Sequence, residues 1–186
     1  ELDRDDQEDQ RIKVVEIEEL PPVAEGYSAV KCGDWLHRIS PTMTNLSRRA
    51  GQYWKRTIEV VSARYKIHQE ATPLNELTMT YEEVDEETDP RLSKVRSVIT
   101  EMLLKALSKD LSAEAITKRL NDPMKILHFI MVKYQPGGRK EKEALLQNII
   151  NPEVCWNEDK ALESLREWKR RVGRAEELKL IIPDPS

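Results

Sequence analysis

The stretch MKILHFIMVKY, residues 124–134, carries apolar side chains on nearly every face of a helix. Asp122-Pro123 precedes it, and this pair is typical of a helix start because proline is tolerated in the first helical turn. A helix that is apolar all round is buried on all sides in a globular protein. We therefore expect residues 124–134 to form a central helix, with Leu127, Ile130 and Met131 nearly fully buried.

Two amphipathic helices are predicted to cover this central helix. The first begins at Asp89-Pro90 and presents Val98 and Met102 to it. The second is the last helix of the chain, which follows Asn157. Its apolar side chains recur at spacings of three or four, which defines a predicted inner face. That face comprises Ala161, Leu165, Trp168, Val172 and Ala175.

The rest of the chain also favours helices. An apolar stripe runs from Trp35 to Tyr65, and Ser40-Pro41 within it predicts a helix start. The chain of 186 residues has only 6 glycines and 5% aromatic residues, and it is rich in Lys, Glu, Leu and Ala. This composition favours helices over strands. The sequence therefore predicts an all-α fold of about seven helices in two small lobes, with little or no sheet.

Charge divides the chain into blocks. Residues 1–26 carry a net charge of −7, and residues 81–90, YEEVDEETDP, carry −6. Such segments are typical of solvated, mobile chain, so we expect an acidic disordered tail at 1–26 and an acidic linker at 81–90. The mildly basic remainder gives an N-terminal lobe at 27–80 and a C-terminal lobe at 91–182. Residues 183–186 then begin a following segment, and a start at Glu1 without Met agrees with a piece of a longer polypeptide.

No catalytic, metal or cofactor motif is found. The histidines His37, His68 and His128 lie on three different predicted helices, and Cys32 and Cys155 have no ligand partner at zinc spacing. Nucleotide-binding and nucleophile motifs are absent, and no apolar run reaches the roughly 18 residues that span a membrane. We therefore expect a protein that is not an enzyme, has no cofactor, metal, membrane contact or small-molecule substrate, and keeps reduced thiols in the cytoplasm.

Three features are candidate sites. The turn Gln135-Pro136-Gly137-Gly138 must end the central helix, because Pro136 lacks an N–H and disfavours helical geometry at Gln135. At least one of its glycines is expected to take a positive φ. Trp156, between two helices, is a candidate interface residue. The basic residues of the last helix form the third site, namely Arg166, Lys169, Arg170, Arg171 and Arg174.

Two interpretations of that basic set stay open. It can contact nucleic acid or an acidic partner surface through its positive charge. Alternatively, it is a solvated helix face whose charges are offset by acidic residues at helical spacing. Those acids are Glu163, Glu167, Glu176 and Glu177.

Several segments resemble a known family when they are taken in order. These are GDWLHRISPTMTNLSRRAGQYW, MLLKAL, YQPGGRKEKEALLQNI, ALESLREWKRRVGRAEEL and IPDPS. The series resembles the Gag-like polyproteins of copia-type LTR retrotransposons, over roughly residues 33–186. Tyr134 to Gly138 and Pro183 to Ser186 are its most specific parts.

The resemblance implies a helical, capsid-like region that assembles with copies of itself into particles around the element's RNA. On this hypothesis the rigid turn at 135–138 sets the angle of a surface used in assembly. Two alternatives come from other classes of protein. One is a monomeric helical nucleic-acid-binding module, and the other is a helical adaptor that binds another cellular protein.

Overall fold

The computed structural model describes residues 8–23, 28–70, 90–152, 154–155 and 157–181. Besides three helical residues at 8–10, this part of the chain contains seven α-helices, one short 3-10 helix and no strand, so the predicted all-α fold is confirmed. The helices are α1 (Ser28–Thr44), α2 (Arg48–Glu70), the 3-10 helix (Pro90–Leu92), α3 (Ser93–Ala106), α4 (Lys109–Thr117), α5 (Pro123–Tyr134), α6 (Arg139–Ile150) and α7 (Glu158–Glu177).

The predicted helix start at Ser40-Pro41 is wrong, because Pro41 lies inside α1. Proline removes one backbone donor near the end of this helix. The helix nevertheless continues to Thr44, since the buried side chains of Ile39 and Met43 on either side of Pro41 hold this turn in the core. The hydroxyl of Ser40 also donates to the carbonyl oxygen of Leu36, at 2.7 Å.

The next helix, α2, requires a glycine at its fourth residue. The Ser47 hydroxyl accepts a hydrogen bond from the N–H of Ala50 at 3.1 Å, which is a normal N-cap contact. Gly51 follows at the point where α2 passes the end of α1. A Cβ atom at Gly51 would lie 2.8 Å from the carbonyl oxygen of Thr44. The absence of a side chain at Gly51 therefore allows the two helices to approach.

The helix α5 is the centre of the first of two compact units. Leu127, Ile130 and Met131 are buried, as predicted, and they belong to one apolar cluster with Val98 and Met102 of α3. The helix packs against both α2 and α3. The sequence also predicts that the last helix packs on α5 through side chains near Leu165 and Trp168. This prediction is wrong for Leu165, because its side chain is 49% exposed.

The division of the chain differs from the predicted lobes 27–80 and 91–182. The first unit contains residues 1–23 and 31–134, and the second contains residues 24–30 and 135–186. The physical reason is that α5 is apolar on nearly every face and is covered by α2 and α3, which lie on either side of the acidic block in the sequence. The predicted linker at 81–90, except Pro90, and the predicted segment 183–186 lie outside the described residues.

The predicted disordered tail is wrong for residues 8–23, which pack on the first unit. Ile12 and Leu20 are buried in its core. The N–H of Leu20 donates to the carbonyl oxygen of Ala106 at 2.7 Å. The indole N–H of Trp35 donates to the carbonyl oxygen of Glu18, also at 2.7 Å. Two apolar anchors and paired backbone groups hold this segment, which we call the N-terminal strap.

The acidic residues of the N-terminal strap do not oppose this packing. Glu16 and Glu19 point into solvent, where their charge is screened. Asp9 is buried, but its carboxylate accepts hydrogen bonds from the Ser47 hydroxyl at 2.6 Å and from Arg49 at 3.2 Å. The predicted exception to disorder, around Ile12 to Ile17, therefore extends over the whole strap. Residues 1–7 and 24–26 of the predicted tail lie outside the described residues.

Replacement of Leu127 by Ala is expected to lower the free energy of unfolding by about 2–5 kcal/mol, from lost transfer energy and the cavity that remains. Urea denaturation followed by circular dichroism measures this. The control is Ile116→Ala, at a side chain that is 67% exposed, where the change should stay within about 0.5 kcal/mol. A loss below about 0.5 kcal/mol for Leu127→Ala would contradict a central position for α5.

Candidate functional site

The turn at 135–138 begins the second unit and has two residues in the left-handed region. Gly137 has φ 72°, which confirms the predicted positive φ, and Gln135 has φ 49°. Gly138 has φ −72° and is the N-cap residue of α6. A Cβ atom at Gly138 would lie 2.9 Å from the carbonyl oxygen of Gln135. Position 137 therefore favours glycine because of its positive φ, and position 138 favours glycine because the Gln135 carbonyl oxygen is close.

A buried carboxylate connects this turn to the last helix. Glu141 lies in the first turn of α6, and its side chain is fully buried. It accepts hydrogen bonds from the backbone N–H of Gly137 and, at 2.8 Å, from the Nε of Arg174 on α7. One side chain thus holds the turn, α6 and α7 together.

Sequence reasoning did not select Glu141. A signal for it exists, because Glu141 lies three residues after the N-cap Gly138, the spacing at which a glutamate reaches back to the start of its own helix. Its contact with Arg174, 33 residues away, has no such signal.

The predicted basic set on α7 does not form one surface. Arg174 is turned inward to Glu141 and also bonds Glu177 at 2.9 Å. Burial lowers the pKa of Arg174, but its hydrogen bonds to Glu141 and Glu177 outweigh burial and raise the pKa above its ordinary value. Arg170 and Arg171 each lie 3.8 Å from Glu167.

The two remaining cations, Arg166 and Lys169, are exposed. Within the described part of the chain, no ion pair involves either of them. Pairing with acidic residues therefore applies to three members of the set, and contact with nucleic acid or an acidic partner stays a prediction. Ion pairs hold Arg170, Arg171 and Arg174, whereas Arg166 and Lys169 present their charge to solvent.

The predicted inner face of α7 is only partly buried. Ala175 is fully buried, Trp168 and Val172 are half-buried, and Ala161 and Leu165 are exposed. The helix runs antiparallel to α6, because Glu141 at the start of α6 contacts Arg174 while the Trp168 indole N–H lies 3.5 Å from the carbonyl oxygen of Ile149.

The difference in helix length explains the exposed half. The helix α6 has 12 residues and α7 has 20. With Ile149 opposite Trp168, about nine residues of α7 extend beyond the last residue of α6. At 1.5 Å per residue this is roughly 13 Å of helix without α6 beside it. The N-terminal half of the apolar stripe on α7 is therefore left uncovered by α6.

Four large apolar side chains are exposed at this end of the second unit, and we call them the association surface. They are Ile150 (52% exposed), Val154 (68%), Leu162 (57%) and Leu165 (49%). Single exposed apolar residues are normal, whereas several in one small unit are typical of surfaces that contact another molecule. Trp156, the predicted interface residue, lies outside the described residues, although the chain places it between Val154 and α7.

The first unit brings two of the three histidines together. The ring of His68 on α2 lies 6.0 Å from the ring of His128 on α5, and Tyr65 stacks on His68. Burial, followed by the nearby charges of His68 and Arg64, lowers the pKa of His128 from 6.5 to about 4. His37 is exposed on α1. The pair was missed because 60 residues separate its members, so no spacing motif marks it.

Metal ligands, cysteines and long apolar helices are the other features of the described residues that bear on function. Among the described residues, no cluster of three His, Cys, Asp or Glu side chains could hold a metal ion. Cys32 is buried, Cys155 is exposed, and neither forms a disulfide. None of the described helices is long and apolar enough to cross a bilayer.

Replacement of Glu141 by Gln is expected to weaken the second unit by about 1–3 kcal/mol, because Arg174 keeps its charge and loses its buried partner. Hydrogen exchange of the α6 and α7 amides measures the free energy of local opening. The matched control is Glu143→Gln on the same helix, whose pair with Arg139 is exposed, and its effect should be much smaller. Equal effects of the two changes would contradict the role of Glu141.

Stability is expected to depend on His128 between pH 6.5 and 4. The unfolded chain binds a proton at this residue below about pH 6.5, whereas folded His128 binds one only below about pH 4. The unfolded state therefore holds more protons in this window, and the free energy of unfolding falls as the pH falls, by about 3 kcal/mol in all. Urea midpoints across this range should show a smaller slope for His128→Gln than for His37→Gln. Identical slopes would contradict the prediction.

Known proteins do not place this chain in a family. No family model matches it, and neither a curated protein nor a solved structure matches it. The likeness to Gag-like polyproteins therefore rests on the sequence segments quoted above, and family membership is a proposal.

Proposed function

We propose that this chain is a Gag-like structural protein of a copia-type retrotransposon, which assembles with copies of itself into particles that package RNA. The observation that carries the proposal is the association surface on the second unit. Large apolar side chains grouped on a folded unit favour contact with another protein. The resemblance at Tyr134 to Gly138 and in α7 supports a second copy of the same chain as the partner.

The helical architecture supports the same proposal. A shell protein needs rigid units that make the same contacts repeatedly, and it needs no catalytic pocket. In the second unit, the turn at 135–138 and the Glu141–Arg174 pair fix the angle between α6 and α7. That angle sets the direction in which the association surface faces.

The exposed cations of α7 support a contact with RNA. Arg166 and Lys169 face solvent, and Arg170 is half-exposed. Positive side chains of this kind bind a phosphate backbone through its charge, without sequence preference. The chain as a whole has a net charge of −4, so this binding is expected to be weak in a monomer and to increase when many copies assemble.

Light scattering over a concentration series tests self-assembly. The weight-average mass is expected to rise from the monomer value of 21.6 kDa to that of large particles, which electron microscopy then images. A mass of one chain at every concentration would overturn the proposal. If such a monomer bound RNA with a strong salt dependence, the alternative of a nucleic-acid-binding module would be supported instead.

The turn provides a second test of the same proposal. Ala at both Gly137 and Gly138 forces a Cβ atom into a left-handed residue and against the Gln135 carbonyl oxygen, which is expected to lower stability by about 1–2 kcal/mol or more. Particle formation should fail under conditions where circular dichroism shows that the helices persist. Assembly equal to that of the parent would show that the turn does not control the association surface.

A further inference from the structure

The helix α7 is amphipathic, but no helix in the described part of the chain covers the N-terminal half of its apolar stripe. Leu162 and Leu165 are about half-exposed, and Ala161 beside them is exposed. Leu162 and Leu165 are three residues apart, so they lie on adjacent turns of one face. A stripe of this kind is suited to lie against another helix.

The charge along α7 indicates which helix can lie there. Residues 158–163 contain three acids and one base, whereas residues 166–171 contain four bases and one acid. Two copies of α7 placed parallel would bring acidic end to acidic end and basic end to basic end. Placed antiparallel, each acidic end would lie beside the basic end of the other copy, which is attractive.

We propose that α7 pairs antiparallel with α7 of a second copy of this chain, about a two-fold axis between Glu163 and Ser164. This arrangement places Leu162 of one copy opposite Leu165 of the other, so the same residues of both copies form the contact. Such a contact is isologous and closes a dimer, while other surfaces remain available for further copies. The pairing rests on the proposed function, because it identifies one of the contacts that self-assembly requires.

The size of the contact predicts its strength. One helix face from each copy buries less than the roughly 1,200–2,000 Å² of a stable interface. The isolated dimer is therefore weak and forms at high protein concentration. A weak contact that many copies repeat is sufficient in an assembly, because neighbouring contacts reinforce it.

Leu162→Asp and Leu165→Asp test the pairing by sedimentation equilibrium over a concentration series. The two-fold axis repeats each change, so each variant buries a charged aspartate against a leucine at two places in the dimer. The dimer dissociation constant is therefore expected to rise about ten-fold or more. The matched control is Ile67→Asp on α2, whose side chain is 52% exposed, and it should leave the dissociation constant unchanged. Circular dichroism checks that all three variants keep their helices.

A distance measurement tests the direction of pairing. In a Cys155→Ser background, a nitroxide is attached to Glu176→Cys, since Cys32 is buried and is expected to resist labelling. The antiparallel arrangement places the two labels roughly 40 Å apart, because each lies more than 12 residues from the axis at 1.5 Å per residue. Parallel helices would place them roughly 10 Å apart, and that result would overturn the proposal.

The outcomes separate the pairing from the proposed function. If the parent forms particles and both Leu variants do so equally well, the pairing is wrong and the proposed function stands. If α7 mediates a dimer but no particle forms, the pairing stands and the proposed function fails. A parent that stays monomeric at every concentration overturns both.

Discussion

Burial of nearly the whole of α5 is the constraint on which the first unit depends. A helix with apolar side chains all round cannot face water, so α2 and α3 lie against it. Tyr134, at the end of α5, donates its hydroxyl to the carbonyl oxygen of Pro21 in the N-terminal strap. Burial, followed by the charge of Cys32, raises the pKa of Tyr134 to about 12, so the hydroxyl keeps the proton that it donates to Pro21 up to a higher pH than an ordinary tyrosine does.

The second unit depends on a polar interaction instead. Glu141 is a buried carboxylate, and burial of a charge is unfavourable unless the charge is paired and hydrogen-bonded. The N–H of Gly137 and the guanidinium of Arg174 supply those partners. The positive φ of Gly137 belongs to the turn that brings this N–H near the carboxylate. The turn at the glycines and the hydrogen bonds of Glu141 thus act together to hold α7 beside α6.

The two units differ in how well they can bury their own apolar surface. The first has several helices around a shared core, so its large side chains, including Trp35 and Trp54, are almost fully enclosed. The described part of the second unit is built mainly from α6 and α7. Two helices enclose little volume, and small units bury a smaller fraction of their surface. Leu162 and Leu165 remain exposed for this reason, which is why the second unit carries the proposed contact.

The sequence by itself determined the helical class, the central position of residues 124–134, and the turn after Tyr134. Each of these follows from local information: the spacing of apolar residues, and the restriction that Pro136 and the glycines place on the backbone. The turn was therefore located correctly, and its positive φ was predicted at Gly137. The association surface was not predicted, because the spacing of Leu165 and Ala161 is that of a buried inner face of the helix.

Only the tertiary structure decided which apolar faces are covered and which charges are paired. Net charge predicted a mobile tail, yet Ile12 and Leu20 insert into the core and Asp9 finds two partners. The five basic residues of α7 look equivalent in sequence, but only Arg174 meets Glu141. Spacing fixes which residues share a face of a helix. Burial and pairing depend on what reaches that face, and this is set by contacts between residues far apart in the chain.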